Sequence, residues 1–223
     1  MKGLLIKDFR LLSVQKNFLA VILVMCILFL IVYEDPSFMI AYLVMMVSFF
    51  SISTISYDEY DNGGAFLFTL PITRKGYVTE KYVFGLINMM LAAVFISVLA
   101  LLSMYIRHIA FLPEEFVMTL LGSCVAVILI LSIMIPLQLK FGAEKSRIAL
   151  IIMVLAIILA GYLLVNYLIA PADKSQVSQL LLSATNLMDT HPAQTIAGIC
   201  FVLIVLMLIS YFVSVKIMQK KEY

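Results

Sequence analysis

The chain has 223 residues, of which 64% are hydrophobic and 13% are charged, and its mean hydropathy is +1.13. Soluble domains are about 45–50% apolar and about 25% charged, so a water-soluble fold cannot bury this composition. The formal net charge of +2 excludes the strongly basic surface that nucleic-acid binding requires. The composition predicts an integral membrane protein that contacts the lipid bilayer and binds no nucleic acid.

Six stretches without a charged side chain approach the ~20 residues that a helix needs to cross a bilayer. They are residues 18–33, 36–57, 82–106, 116–139, 148–172 and 192–215. Their continuous apolar character favours helices over a β-barrel, whose strands alternate in polarity. The sequence therefore predicts an all-α, polytopic membrane protein in which residues 1–223 form a single domain with six transmembrane helices. Pro136 predicts a kink in the fourth of these helices.

The distribution of basic residues predicts the orientation of these helices. With the N-terminus inside, only Arg107 and Lys174 of the 15 Lys and Arg residues fall on the external side. Basic loops stay in the cytoplasm, so we expect both termini to be cytoplasmic. The sequence has no Asn-x-Ser/Thr glycosylation acceptor, which favours a bacterial plasma membrane.

Two segments outside the predicted spans have an interfacial character. Residues 1–16 place Leu4, Leu5, Phe9 and Leu12 against basic residues, which predicts an amphipathic helix on the inner membrane surface. A basic flank that only sets topology is the alternative. Residues 170–191 are too polar to span the bilayer and too apolar for an ordinary loop, so short external re-entrant or interfacial helices are predicted there.

The longest cytoplasmic loop covers residues 57–82. It begins with acidic residues and continues through Asn62-Gly63-Gly64 to an apolar stretch. Pro71 suits the start of a helix, and residues 72–82 are expected to form a short surface helix that runs into the third span. A solvated connector is the alternative that composition alone supports.

The motifs of several enzyme and carrier classes are missing. The sequence contains no Gly-Lys dipeptide, so it lacks the phosphate-binding loop of an ATPase. The two histidines and the three cysteines are scattered, which predicts neither a catalytic site nor a metal site. The six stretches hold no Asp, Glu, Lys, Arg or His, which argues against an ion-coupled carrier. We expect no cofactor in this chain.

Hydroxyl side chains form a stripe in the second predicted span. Ser48, Ser51 and Thr54 recur every three residues, which places them near one face of a helix. They are candidates for lining a polar pathway. Close packing between helices, which favours small hydroxyl residues in membranes, explains the same stripe.

Several short stretches resemble a known family. Met1-Lys2-Gly3-Leu4-Leu5-Ile6-Lys7-Asp8-Phe9, residues 51–59 (SISTISYDE), residues 69–74 (TLPITR) and residues 80–82 (EKY) are similar to small bacterial permeases of the ABC transporter type-2 membrane-domain family. The resemblance implies the membrane-spanning subunit of an ATP-driven exporter, paired with a second permease copy as a homodimer or heterodimer. It also implies a separate ABC ATPase subunit, which would bind the ATP.

The resemblance implies roles for the segments outside the spans. Residues 1–16 would be a connecting helix, residues 71–82 would overlap the coupling helix that docks on the ATPase, and residues 170–191 would be external re-entrant helices. The candidate ATPase-coupling residues are Asp58, Glu59, Pro71, Ile72, Arg74, Lys75, Tyr77 and Val78. Among them, Arg74 and Lys75 would present cations, and Ile72, Tyr77 and Val78 would be anchors in a groove of the partner.

In a second interpretation, the same loops bind a partner but the chain does not transport a substrate. The chain would then be a non-transporting membrane sensor or assembly component that binds a cytoplasmic partner.

Overall fold

The computed structural model describes residues 2–33, 36–60, 63–108, 113–163 and 192–221. In these ranges the chain forms seven helices and no strand, which confirms the all-α prediction. The helices are α1 (Lys2–Val14), α2 (Lys16–Val32), α3 (Ser37–Glu59), α4 (Gly63–Leu67), α5 (Arg74–Arg107), α6 (Pro113–Leu163) and α7 (Pro192–Lys220).

Among the described residues, four helical segments are long and apolar enough to cross a membrane: Ser37–Glu59, Arg74–Arg107, Pro113–Gly142 and Thr195–Lys220. The α1–α2 pair, bent by 64°, raises this number to five if the pair is one broken span. The chain is therefore a multi-pass membrane protein. The predicted span at residues 148–172 is only partly described, and the predicted external segment at 170–191 lies outside the described residues. The number of six spans stays a prediction.

The N-terminal segment is helical, and its apolar side packs on the bundle. Leu4 is buried, and the ring of Phe9 meets the ring of Phe84 edge-on with centroids 5.2 Å apart. Lys2 and Arg10 are exposed on the opposite side. The amphipathic pattern thus predicted the helix, while its position at the membrane surface stays a prediction.

Helix α5 begins at Arg74, slightly later than Pro71 and Ile72 suggested. Thr73 is extended (φ −81°, ψ 142°), and its Oγ1 accepts a hydrogen bond from the backbone N–H of Gly76 at 3.1 Å. This N-cap fixes the start of the helix. With 34 residues and a rise of ~1.5 Å per residue, α5 exceeds the ~30 Å hydrocarbon core. Its apolar part, residues 82–106, is long enough to cross the bilayer, and residues 74–81 form a charged extension.

The break in α6 lies at a glycine. The helix continues through Pro136, and its non-helical residue is Gly142 with φ 76° and ψ 176°. This backbone conformation is accessible essentially to glycine alone. The change of direction within α6 is therefore a property of Gly142.

The core of the bundle surrounds α3, which packs mainly against α5 and α6, while α7 packs on α6 and α5. Fully buried apolar side chains from these elements include Ile40, Val44, Ile55, Phe84, Ile96, Leu131 and Ile135. The outer faces of α2 and α7 expose many large apolar side chains, as expected for helices in contact with lipid.

Candidate functional site

Five charged residues meet where α1, α3 and α5 come together. Lys7 and Asp8 belong to α1, Asp58 to α3, and Glu80 and Lys81 to the charged extension of α5. Asp8 and Glu80 are 0% exposed, Lys81 is 1% exposed and Asp58 is 8% exposed. We call these five residues the Lys81 cluster. Removing such groups from water costs several kcal/mol each unless they are paired, so their arrangement constrains the three helices.

Lys81 is the centre of this cluster. Its Nζ lies 2.5 Å from Asp8 Oδ2 and 2.7 Å from Asp58 Oδ2, and it donates to Thr54 Oγ1 at 3.1 Å. Burial alone would lower the pKa of Lys81, but the charges of Asp58, Glu80 and Asp8 outweigh burial and raise it. Lys81 therefore stays charged and links α5 to both α1 and α3.

Asp58 connects α3 to both α1 and α5 through its two carboxyl oxygens. Its Oδ1 accepts a hydrogen bond from Lys7 Nζ, and its Oδ2 accepts one from the hydroxyl of Tyr77 at 3.0 Å. Asp58 was predicted as an ATPase-coupling residue, and the structure places its side chain in the buried contact between α1, α3 and α5. A contribution of Asp58 to coupling would thus act through the packing of α1, α3 and α5.

Glu80 differs from the other cluster members. Neither of its carboxyl oxygens has a hydrogen-bond partner among the described residues, and the same holds for Asp8 Oδ1. Burial and the negative charge of Asp8 raise the pKa of Glu80 to about 7, although the charge of Lys81 opposes this change. Glu80 lies in the charged extension of α5, so its carboxyl group binds or releases a proton outside the apolar part of that helix.

The end of α7 is tied to the same end of the bundle. Arg74 donates to the backbone carbonyls of Met218 at 3.3 Å and Gln219 at 2.7 Å. Lys221 Nζ lies 2.5 Å from Glu59 Oε1. Arg74 and Glu59, both predicted as coupling residues, thus connect α7 to α5 and to α3.

Tyr77 and Val78 are not on the surface, contrary to the expectation that they would protrude as anchors. Both side chains are buried, and the ring of Tyr77 packs edge-on against Phe68 with centroids 5.7 Å apart. Both residues lie on the side of α5 that faces the bundle. Both side chains therefore contribute to packing inside the bundle and not to a surface for a partner.

Other side chains of the connection are exposed. Phe66 is 71% exposed, Leu70 and the predicted coupling residues Pro71 and Lys75 are exposed, and Ile72 is half-buried. We call Phe66, Leu70, Pro71 and Lys75 the loop surface. Because these apolar groups are exposed outside the membrane-crossing stretches, the loop surface is a candidate for binding a partner.

The hydroxyl stripe lies between α3 and α5. Ser48, Ser51 and Thr54 are all buried. Ser48 Oγ donates to the carbonyl of Val44 at 2.6 Å, and Ser51 Oγ accepts from Asn88 Nδ2 at 3.0 Å. Ser51 and Thr54 thus connect α3 to α5 through Asn88 and Lys81. A pathway role for these hydroxyls would require α3 and α5 to separate.

Sequence reasoning had not identified Asp8, Glu80 and Lys81 as a cluster, nor Phe66 and Leu70 as a surface. One signal was present, since Asp8 follows the buried Leu4 by four residues and so shares its helix face. In the part of the chain that the structure describes, no group of His, Cys, Asp or Glu side chains could hold a metal ion.

Comparison with known proteins identifies a family for this chain. The sequence matches the family model described as "ABC-2 family transporter protein" over residues 3–219. The match includes all five members of the Lys81 cluster and the whole loop surface. No curated protein and no solved structure matches the chain.

Proposed function

This chain belongs to the ABC-2 family of transporter proteins, and from that premise we propose that it is the membrane-spanning permease subunit of an ATP-driven exporter. A separate ABC ATPase subunit hydrolyses ATP in this proposal, because the chain has no Gly-Lys dipeptide for a phosphate loop. Two permease copies, identical or related, enclose the pathway.

The loop surface carries this proposal. It presents exposed apolar side chains directly before α5 and a cation in the first turn of α5. Helix α5 continues without interruption from Arg74 towards its apolar part. Arg74 connects this helix to the end of α7, and Lys81 connects it to α1 and α3. A partner that moves the loop surface would therefore move four helices at once.

The proposed orientation places the Lys81 cluster, the loop surface and both termini in the cytoplasm of a bacterial cell. It can be tested by cysteine labelling in intact cells, in a background without Cys26, Cys124 and Cys200. A membrane-impermeant maleimide is expected to modify Glu115→Cys at the start of α6 and to leave Lys75→Cys unmodified until the cells are opened. Modification of Lys75→Cys alone in intact cells would mean that the orientation is inverted.

The function itself is tested by isolating the full-length chain from its own membrane with whatever subunits bind it. We expect an ABC ATPase subunit to co-purify, the complex to hydrolyse ATP, and the separated chain to bind no nucleotide. Reconstituted vesicles should then accumulate substrate only with ATP. A stable complex without ATP-driven transport would favour the sensor or assembly component, and nucleotide hydrolysis by the separated chain would contradict the division into two subunits.

A further inference from the structure

Glu80 has no hydrogen-bond donor among the described residues, although it lies beside a lysine. An ammonium group offers three N–H donors. Three oxygens already surround Lys81 Nζ, namely Asp8 Oδ2 at 2.5 Å, Asp58 Oδ2 at 2.7 Å and Thr54 Oγ1 at 3.1 Å. Glu80 Oε2 is farther away, at 3.6 Å. The donors of Lys81 are therefore directed at other residues.

Asp8 Oδ1 also lacks a hydrogen-bond donor among the described residues. Lys7 Nζ lies 3.2 Å from Asp8 Oδ1 but without the geometry of a hydrogen bond, since Lys7 donates to Asp58 instead. Asp8 Oδ2 and Glu80 Oε2 lie 2.5 Å and 3.6 Å from the same atom, Lys81 Nζ, so the two carboxyl groups are neighbours, and both are fully buried. One proton on a Glu80 oxygen would supply Asp8 Oδ1 with a donor and would leave a single Glu80 oxygen, instead of three carboxyl oxygens, without a partner.

The charge of the cluster leads to the same conclusion. Three carboxyl groups, of Asp8, Asp58 and Glu80, share the site with the two ammonium groups of Lys7 and Lys81. A buried group of this kind is stable when its charges cancel. With one proton bound to a carboxyl group, the cluster is neutral.

We propose that Glu80 binds a proton at neutral pH and donates it in a hydrogen bond to Asp8 Oδ1, so that the Lys81 cluster is a proton-binding site. The groups facing Glu80 are Lys7 and Asp8 of α1 and Lys81 of its own helix, with Asp58 of α3 reached through Lys81. When the proton leaves, two buried carboxylates repel each other, and α1 loses part of its attachment to α5. The packing of α1 on the bundle thus depends on the pH at this end of the protein.

The sign of the pH effect follows from the proton affinity of the folded state. The pKa of Glu80 is about 7 in the folded chain against a reference value of 4.5. The folded chain therefore binds the proton more tightly than the unfolded chain, and stability falls as pH rises through this window and is constant above it.

The first test compares the melting temperature of the purified full-length chain in detergent across that window. We expect the wild type to lose stability with rising pH and Glu80→Gln to lose much less, because a glutamine amide donates to Asp8 at every pH. Glu115→Gln, at an exposed carboxyl group on α6, is the matched control and should keep the wild-type pH dependence. Equal pH slopes in wild type and Glu80→Gln would overturn the proposal.

A second measurement needs no Glu80 variant. Infrared spectroscopy of the wild type should show the carbonyl band of a protonated, buried carboxyl group at neutral pH, which disappears as pH rises. In Asp8→Asn the acceptor loses its charge, so we expect about a tenfold weaker proton affinity and a transition at lower pH. The proposal fails if the wild type has no such band, or if Asp8→Asn leaves the transition unchanged. These readouts do not involve ATP hydrolysis, so they are independent of the proposed transport function.

Discussion

Replacing Lys81 by Met is expected to destabilise the folded chain by about 3–5 kcal/mol, the usual effect of leaving a buried charge without its partner. The substitution keeps a side chain of similar length and removes the cation that contacts Asp8 and Asp58. Both carboxylates then remain buried with their main counter-charge gone. Thermal unfolding of the purified chain in detergent, followed by circular dichroism, measures the loss.

The matched control is Lys75→Met on the same helix. Lys75 is exposed, so its replacement should change stability by no more than about 0.5 kcal/mol. Combining Lys81→Met with Asp8→Asn should recover part of the loss, because the second change removes one of the uncompensated charges. If Lys81→Met melted at the temperature of Lys75→Met, the cluster would not hold the three helices together.

If the proposed ATPase subunit docks on the loop surface, replacing Phe66 by Ala is expected to weaken that complex by about 30-fold, which corresponds to about 2 kcal/mol for an aromatic anchor at an interface. Phe66 is 71% exposed, so its loss should leave the fold of the isolated chain intact. The affinity is measured by titrating the purified ATPase subunit onto the permease in lipid nanodiscs.

A phenylalanine on the lipid-facing side provides the control for this experiment. Phe201 of α7 is 69% exposed, and Phe201→Ala should bind the ATPase subunit with wild-type affinity. Lys75→Ala, at the edge of the loop surface, should reduce affinity less than Phe66→Ala, since charged rim residues chiefly affect association rates. Wild-type affinity of Phe66→Ala would mean that the partner docks elsewhere.

The parts of the fold that the sequence predicted are those that lipid dictates. Continuous apolar stretches predicted the membrane helices within α3, α5, α6 and α7 because a bilayer requires ~20 apolar residues per helix. The helix of residues 1–16 was predicted because its apolar residues recur on one side. The Thr73 cap could also have been read from the sequence, since threonine is a preferred N-cap residue, but Pro71 was the more obvious helix start.

The candidate site was harder to predict because its burial depends on contacts between distant segments. Tyr77 and Lys81 are four residues apart and share a face of α5, and the charge of Lys81 makes that face look solvated. It is buried because α1 brings Asp8 against it and α3 brings Asp58. Pairings of this kind leave no periodic signal in either segment, so nothing in the sequence showed that Tyr77, named as an anchor on the strength of the resemblance, is buried.

The long separation in sequence between Asp8 and Lys81 bears on the order in which the chain assembles during synthesis. The two residues are 73 positions apart, and α2, α3 and α4 are all made between them. Until α5 is in place, the carboxylate of Asp8 has no buried cation to pair with. Because burying an unpaired charge is costly, α1 is expected to stay in contact with water at that stage. Arg107, at the far end of α5, donates hydrogen bonds to the backbone carbonyls of Leu30 and Tyr33 at the end of α2. These hydrogen bonds also form only once α5 is in place. Insertion of α5 is thus the step that allows α1 and the end of α2 to form these contacts.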